Sequence, residues 1–321
     1  MSKPRISFVV LSYNYARYIG ETIGSILAQE GAHNFEIVVV DDASTDDSDD
    51  VIRAFSDPRI RYIRHEKNQG HGATVTDGLN ATRGELVARI DSDDRYHRSF
   101  LNTVVPIFEK YPSVGLVYGN AAMIDGQGTV TAERLDVVHG GKDFRGNEYV
   151  PLLKANFICA PTVIARREAW LQALPIPEWL VFHDWFFTLM IARRHDFYFS
   201  NDILADYRVH SANYHTHIER NRSEEASVIG FLDLLYGEQE ADRALQDAKL
   251  SARRRVYASH YRVLASKYFW FGYNGDARRC FLKAIQLQPS YVLDPALVRQ
   301  LMATVMGRRL YEGAKKVVAR S

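Results

Sequence analysis

The chain has 321 residues, of which 46% are hydrophobic and 25% charged, and its formal net charge is +1. This length allows one large domain or two smaller ones, and the composition is typical of a soluble globular protein. The balanced charge argues against bulk nucleic-acid binding, and the two distant cysteines, Cys159 and Cys280, form no metal pattern and fit a reducing compartment.

The N-terminal segment has only a superficial likeness to a signal peptide. Its apolar run, residues 6–11, is short, Asn14 and Arg17 follow closely, and no small-residue cleavage pattern is present. No apolar run in the sequence is long enough to span a bilayer. We therefore expect a first core strand here and a cytoplasmic protein, with a peripheral position at the inner face of the membrane as the alternative.

Strand and helix patterns alternate over the first 94 residues. Apolar runs predict strands at residues 6–11, 35–40, 60–63 and 86–90, and apolar residues at helical spacing lie between them. This β-α-β-α-β-α-β order predicts an α/β fold with a mostly parallel, Rossmann-like sheet and flanking helices.

Polar residues follow each predicted strand. They are Ser12-Tyr13-Asn14, Asp41-Asp42, Asn68-Gln69-Gly70 and Asp91-Ser92-Asp93. Parallel sheets bind ligands outside the carboxyl ends of their strands, so we expect the four segments to converge on one binding site. Four independent turns are the alternative.

The segment Arg89-Ile90-Asp91-Ser92-Asp93-Asp94 combines a strand end with three carboxylates. Because strand residues alternate faces, Asp91 and Asp93 can point the same way, and unpaired acids so close together resist burial. Mg²⁺ or Mn²⁺ would resolve this conflict, since both take oxygen ligands and often bind through one or two carboxylates plus substrate phosphates. The alternative is a solvated turn in which Asp93 or Asp94 caps the next helix.

The acidic residues at the predicted strand ends favour a nucleotide as the ligand. Carboxylates would hold its base and ribose, and a metal would bind its phosphates. A dinucleotide site of the usual kind has Gly-x-Gly-x-x-Gly after the first strand, where this chain has Ser12-Tyr13-Asn14. The phosphate-binding Gly-x-x-x-x-Gly-Lys-Ser/Thr loop is also missing from the sequence.

Beyond residue 94 the patterns are less regular. Helices are expected at 100–110 and from 166 onward, and strands at 114–119, at 157–164 and around 203–204. Residues 125–147 show only a weak pattern and are expected to form a mobile or acceptor-contacting loop, or a plain surface excursion.

A single acid lies among aromatic residues in Phe182-His183-Asp184-Trp185. Burial near rings raises the pKa of a carboxyl group and makes it a better base. Asp184 is therefore a candidate general base, and a helix N-cap is the alternative.

From about residue 223 only helices are expected. The helix pair around 256–269 and 277–285 resembles one tetratricopeptide-like unit, which would pack on the catalytic domain or on a partner. The tail carries basic residues among apolar ones and would contact an anionic membrane surface, or form a solvated helix; these residues are Arg308, Arg309, Lys315, Lys316 and Arg320. His215 and His217 lack a zinc spacing and are expected to be loop histidines.

Residues 4–94 resemble the donor-binding half of a family 2 glycosyltransferase with a GT-A fold. The matching segments, in the family's order, are 8–14, 38–46, 68–70, 81–84 and 91–94. The family usually has Gly where Ala43 stands and often has Glu where His183 stands, so the match is looser at these two positions.

The resemblance implies an inverting, metal-dependent enzyme. Its donor would be a nucleoside-diphosphate sugar, in the usual case UDP-linked, and its acceptor a hydroxyl in polysaccharide, lipid-linked glycan or glycoconjugate synthesis. Its metal would be Mn²⁺ or Mg²⁺. The donor-binding residues would be Ser12, Tyr13, Asp41, Asn68, Asp91 and Arg208.

Individual roles follow from the same resemblance. Tyr13 and Asp41 would hold the nucleobase, and Asp91 would contact the ribose or the metal. Asp93 would bind the metal, and Asp184 would be the general base. In a Tyr-Arg-x-His segment at 207–210, Arg208 would pair with phosphate oxygens and His210 would be a further metal ligand, with a structural histidine as the alternative.

The catalytic domain is expected at residues 1–220, with a nucleotide-binding half at 1–94 and an acceptor half at 95–220, followed by a helical region at 221–321. Two other functions stay open. A sugar-phosphate nucleotidyltransferase would need a basic, Gly-rich phosphate loop after the first strand, and this sequence has none there. A non-catalytic nucleotide-sugar-binding scaffold is favoured only by His183. The sequence names neither the donor sugar nor the acceptor.

Overall fold

The computed structural model of this chain describes residues 3–135, 138–210 and 223–306. Its chain divides into two units. The first comprises Met1–Tyr149, Phe157–Glu178 and His183–Ala212, and the second comprises Val150–Asn156, Trp179–Phe182 and Asn213–Ser321. The predicted domain boundary at residue 220 lies outside the described residues and stays a prediction.

The first unit contains a ten-stranded sheet. Its strands are β1 (Ile6–Ser12), β2 (Phe35–Asp41), β3 (Ile60–Arg64), β4 (Leu86–Asp91), β5 (Arg95–Tyr96), β6 (Val114–Ile124), β7 (Val130–Ala132), β8 (Phe144–Gly146), β9 (Ile164–Arg166) and β10 (Asp196–Arg208). The strand order is β3-β2-β1-β4-β9-β6-β10-β5, with β7 paired to β6 and β8 paired to β10.

Helices alternate with these strands. Up to residue 210 they are α1 (Ala16–Leu27), α2 (Ser48–Arg53), α3 (His71–Ala81), α4 (Phe100–Lys110), α5 (Tyr149–Lys154), α6 (Arg167–Gln172) and α7 (His183–Ala192). Strands β3, β2, β1 and β4 run parallel, as do β6 and β10, while β9 runs antiparallel between β4 and β6. The predicted mostly parallel α/β sheet is confirmed.

The predicted core strands form because both faces of the sheet are covered. Every residue of β1 and β2 is buried, as near-continuous apolar runs in a parallel sheet require. In α1, Ile19, Ile23 and Ile26 recur at helical spacing and are fully buried. Each such side chain contributes about 1.5–3 kcal/mol when removed from water.

One expectation in the middle of the chain is wrong. Instead of a strand over 157–164, residues Ala160–Thr162 form a 3₁₀ turn and β9 begins only at Ile164. Pro161 explains the difference, because it lacks the N–H that a strand ladder needs. The described residues of the segment 125–147 include the short strands β7 and β8 and a second 3₁₀ turn, His139–Gly141, and its role as a mobile or acceptor-contacting loop stays a prediction.

A buried carboxylate on β2 connects β1, β3 and the segment that precedes β4. Glu36 is 4% exposed and accepts hydrogen bonds from Ser7 Oγ at 2.7 Å, from the Arg83 backbone N–H at 2.7 Å and from Arg61 Nη1 at 3.2 Å. Burial acts to raise the pKa of Glu36, but the hydrogen bonds from Ser7, Arg83 and Arg61 outweigh it and lower the pKa below its usual 4.5.

We expect Glu36→Gln to lower the free energy of unfolding by about 2–3 kcal/mol at neutral pH, because it removes the charge from a buried, hydrogen-bonded group. A carboxyl group with a lowered folded-state pKa stabilises the fold above its unfolded pKa, and this is lost as pH falls through the folded pKa. The difference between the two proteins should therefore shrink below about pH 4.5. Urea unfolding measures it. Glu66→Gln, at an exposed position, is the matched control, and an equal loss in both variants would contradict the prediction.

The second unit is helical in its described residues after 222. Its helices are α8 (Ser223–Gly237), α9 (Arg243–Trp270), α10 (Asn274–Leu287) and α11 (Pro295–Met306). Helices α9 and α10 share a core that includes Tyr268, Phe269, Cys280 and Phe281. The predicted helical C-terminal region is confirmed, while its likeness to a tetratricopeptide unit stays a prediction.

No helix in the described ranges combines the length and the hydropathy needed to cross a membrane. The basic tail residues predicted to contact a membrane, and the loop histidines His215 and His217, lie outside the described residues.

Candidate active site

The four polar segments lie together at the carboxyl edge of the parallel strands. In the strand register Ser12 lies opposite Asp41, and Leu11 lies opposite Asp91. Asp42 connects the segment 68–70 to this edge. Its carboxylate accepts hydrogen bonds from the backbone N–H groups of Gln69 and Gly70, each at 2.8 Å. The segments form one edge, so the alternative of four independent turns is wrong.

The acidic turn after β4 is buried. Asp93 is 6% exposed and Asp94 is 2% exposed, so the alternative of a solvated turn is wrong. Neither residue caps the following helix, because α4 begins at Phe100 and its N-cap position is Ser99.

Burial makes the ionised forms of these acids unfavourable. Burial and the nearby charge of Asp91 raise the pKa of Asp93 to about 6. Burial and the charge of Asp93 raise the pKa of Asp94 well above its usual range. A cation at this turn would favour the ionised carboxylates that the protein alone disfavours.

His210 faces this turn from the end of β10. Its Nε2 lies 3.1 Å from Asp93 Oδ2, and its ring packs on Tyr18 with the ring centroids 5.0 Å apart. Across the described ranges, no group of three or more His, Cys, Asp or Glu side chains is placed to share a metal ion. A carboxylate and an imidazole still fit a divalent ion that completes its shell with substrate phosphates.

Arg208 forms hydrogen bonds that hold the acidic turn in place. Its side chain is 1% exposed. Its Nε donates to the Asp93 carbonyl at 2.7 Å and its Nη2 to Glu21 Oε2 at 2.7 Å. Its backbone N–H donates to Asp94 Oδ1 at 2.8 Å. A donor phosphate would have to replace some of these contacts, and the phosphate-binding role of Arg208 stays a prediction.

The carboxylate of Asp41 is also hydrogen-bonded to other residues of the protein. It has no exposed surface and accepts hydrogen bonds from the hydroxyl and the backbone N–H of Ser44 and from the Tyr62 hydroxyl at 3.3 Å. A nucleobase would have to displace one of these donors, and its base-binding role stays a prediction. The intervening Ala43 has a φ of 60°, a left-handed conformation that glycine adopts at less cost, which accounts for the Gly usual in the family.

The other candidate donor contacts differ in exposure. Tyr13 is 45% exposed and Asn68 is exposed. Ser12 is 3% exposed, and its buried hydroxyl has no hydrogen-bond partner among the described residues. Unpartnered buried hydroxyls are rare in folded proteins and indicate a missing ligand or water.

Asp184 lies in the first turn of α7, which begins at His183, so it does not occupy the N-cap. Its side chain is 40% exposed and forms an ion pair with Arg89, a β4 residue whose side chain is only 3% exposed. Arg89 Nη1 also lies 3.6 Å from Asp91 Oδ1. Burial acts to raise the pKa of Asp91, but the charge of Arg89 and the nearby imidazole of His71 lower it to about 2.

His183, which stands where the family often has Glu, pairs with His71. The rings of His71 and His183 are stacked, with centroids 4.9 Å apart and their Nδ1 atoms 2.7 Å apart. His71 Nε2 lies 3.6 Å from Asp91 Oδ1. One ring must donate to the other, so His183 holds the start of α7 against the start of α3.

The sequence reasoning missed Arg89, His71 and Glu21. A signal existed for Arg89, because a charged residue interrupts a strand expected to be covered on both faces. Glu21, an acid on an amphipathic helix, carried no such signal, since its partner Arg208 lies far along the chain.

The chain matches the family model described as glycosyl transferase family 2 over residues 7–173. It is 33% identical over 218 residues to an uncharacterized glycosyltransferase of Nostoc sp., covering 66% of each chain. It is 45% identical over 91 residues to the succinoglycan biosynthesis protein ExoO of Rhizobium meliloti, covering 28% of this chain and 26% of that one. The matches thus span less than two thirds of these relatives.

Solved structures are similar in fold. S. aureus TarS 1–349 superposes with a TM-score of 0.63 and 18% identity, over 97% of this chain and 91% of that chain. The mannosyltransferase PcManGT from Pyrobaculum calidifontis, in complex with GDP-Man and Mn²⁺, superposes with a TM-score of 0.62 and 16% identity, over 100% and 89%. These likenesses confirm the predicted GT-A-type fold.

Proposed function

Since the chain belongs to glycosyl transferase family 2, we propose that it transfers a sugar, with inversion, from a nucleoside-diphosphate sugar to an acceptor hydroxyl. The strongest support is that three features lie together at one edge of the parallel sheet. They are the acidic turn, His210 and the Arg89–Asp184 ion pair. On this proposal, a metal-bound diphosphate would lie at that edge with the base beside it.

The proposed metal ligands are Asp93 and His210, which already lie 3.1 Å apart, and the ion would be Mn²⁺ or Mg²⁺. When bound, such an ion would neutralise the negative charge that develops on the departing diphosphate. Arg208 keeps the acidic turn in place through the Asp93 carbonyl and the Asp94 carboxylate.

The proposed base is Asp184. Its carboxylate takes the proton of the acceptor hydroxyl, whose oxygen then attacks the anomeric carbon from the side opposite the diphosphate. The bond from that carbon to the diphosphate oxygen breaks, and its electron pair leaves with the nucleoside diphosphate. An exposed fraction of 40% leaves Asp184 accessible to an acceptor.

The proposed donor contacts are Ser12, Tyr13, Asp41, Asn68 and Asp91, of which the unpartnered hydroxyl of Ser12 is the most suggestive. We propose UDP as the nucleotide. Another TarS structure, with a TM-score of 0.62, is a complex with UDP-GlcNAc, whereas PcManGT was solved with GDP-Man. The acceptor proposed is a growing polysaccharide, a lipid-linked glycan or a glycoconjugate. The names of two relatives, in succinoglycan and teichuronic acid biosynthesis, support this class.

A calorimetric titration of the wild-type protein with UDP and with GDP, each with and without Mn²⁺, tests the nucleotide and the metal together. We expect UDP to bind only when Mn²⁺ is present. Preferential binding of GDP would overturn the choice of nucleotide, and equal binding with and without Mn²⁺ would overturn the proposed metal site.

A further inference from the structure

Arg89 is a cation in the middle of a buried strand. Its neighbours on β4, Ala88 and Ile90, are buried apolar residues, and its own side chain is 3% exposed. An unpaired guanidinium in such a place is strongly unfavourable. The groups that surround Arg89 are therefore part of what allows the strand to form here.

Two carboxylates from different elements meet this guanidinium. Nη2 pairs with Asp184 Oδ1 on α7, and Nη1 lies 3.6 Å from Asp91 Oδ1 at the end of β4. Within the described residues Nη1 has no hydrogen-bond partner, so the contact with Asp91 is electrostatic. Arg89 thus supplies one positive charge that both acids share.

Arginine suits this arrangement better than lysine. Its guanidinium is planar and presents its donors in a fixed fork, so it can contact two carboxylates at a set separation. The strand that carries Arg89 pairs with β1 at this position, where Val9 lies opposite Arg89, and with β9 over the three preceding residues, 86–88. The fork is therefore carried by an interior strand of the sheet.

We propose that Arg89 is a positioning residue for the transfer reaction. It holds Asp184 at a fixed place relative to Asp91, so that the base stays aligned with the bound donor sugar. This inference rests on the proposed function, in which Asp184 accepts the proton and Asp91 contacts the donor. Arg89 itself touches neither the acceptor nor the reacting atoms.

The test measures nucleoside-diphosphate release from UDP-GlcNAc and GDP-Man by Arg89→Ala. We expect kcat to fall about 100-fold, the effect of a displacement of about 1 Å in a catalytic group. The donor KM should stay within about twofold, because donor binding is largely kept. Added guanidinium ion, at a non-denaturing concentration, should restore part of kcat by occupying the vacated space. Arg89→Gln gives the same readout if the alanine variant does not fold.

Arg166→Ala is the matched control. Arg166 ends β9 opposite the start of β4, where it donates to the Val114 carbonyl at 3.0 Å, and its loss should leave kcat unchanged and insensitive to guanidinium. An unchanged kcat in Arg89→Ala, or a loss that guanidinium does not relieve, would overturn the positioning role. The Asp184→Asn variant separates the two proposals. If this variant keeps full turnover, the assignment of Asp184 as base fails. If it is inactive while Arg89→Ala is fully active, only the positioning role of Arg89 fails.

Discussion

Asp184→Asn is expected to lower turnover by about 10²–10⁴-fold, the range that general base catalysis contributes, while the affinity for the nucleotide stays unchanged. Asparagine has nearly the same shape as aspartate but cannot take the proton of the acceptor hydroxyl. It can still accept a hydrogen bond from Arg89, so the start of α7 should keep its place. Donor turnover and nucleotide titration, measured on the same preparation, check the two halves of this expectation.

Asp196→Asn is the control for this variant. Asp196 is a partly exposed acid at the first position of β10, at the amino edge of the sheet and away from the site. Its replacement should leave turnover within about twofold, as is usual for substitutions outside a site. Full activity in Asp184→Asn would remove this residue from the role of base, and an equal loss of nucleotide affinity would make it a binding residue.

The second large effect is expected from Asp93→Ala. We expect the affinity for Mn²⁺ in the presence of UDP to fall by more than about 100-fold, since loss of a group outside the first coordination shell already costs about 10–100-fold. Removing Asp93 also leaves His210 without its carboxylate neighbour at 3.1 Å. Electron paramagnetic resonance of free and bound Mn²⁺ measures this directly.

Asp50→Ala is the control, because Asp50 is exposed on α2 and its loss should leave Mn²⁺ binding unaltered. If Asp93→Ala binds Mn²⁺ as tightly as the wild-type protein does, Asp93 is not a metal ligand. The contacts of Arg208 with the acidic turn would then serve a role other than metal binding.

The sheet could be predicted because its strands are buried on both faces. A strand such as β2 must then be apolar along its length, and Ile37 to Val40 show this directly in the sequence. The short β9 could not be predicted, because Cys159-Ala160-Pro161 interrupts an otherwise strand-like run, and the effect of one proline depends on where its missing N–H would point.

The site was predictable only in part. The acidic turn could be named because polar residues follow strand ends and the carboxyl ends of parallel strands share an edge, whereas His210 was named only from the family resemblance of the segment 207–210. The sequence could not show which of them are buried or already paired. Arg208 and Asp41, expected to contact the donor, have their polar atoms engaged by Glu21, Ser44 and the turn itself. The contacts of Arg208 with Asp93 and Glu21 join residues more than 100 positions apart and leave no local pattern in the sequence.

The His71–His183 pair illustrates the same limit. His183 stands where the family often has Glu, which taken alone favours a non-catalytic scaffold. The structure shows that His183 packs on His71 and leaves the neighbouring Asp184 paired with Arg89 and 40% exposed. The departure therefore changes the support of α7 and leaves the carboxylate of Asp184, the proposed base, partly exposed.

The measurement that tests the central claim most directly is the release of nucleoside diphosphate from UDP- and GDP-sugars by the wild-type protein in the presence of Mn²⁺. We predict slow release with water as the acceptor, dependence on Mn²⁺, and loss of the activity in Asp184→Asn. Tight, metal-dependent binding of a nucleotide sugar with no release would contradict the claim and favour a scaffold that binds donors without transferring them.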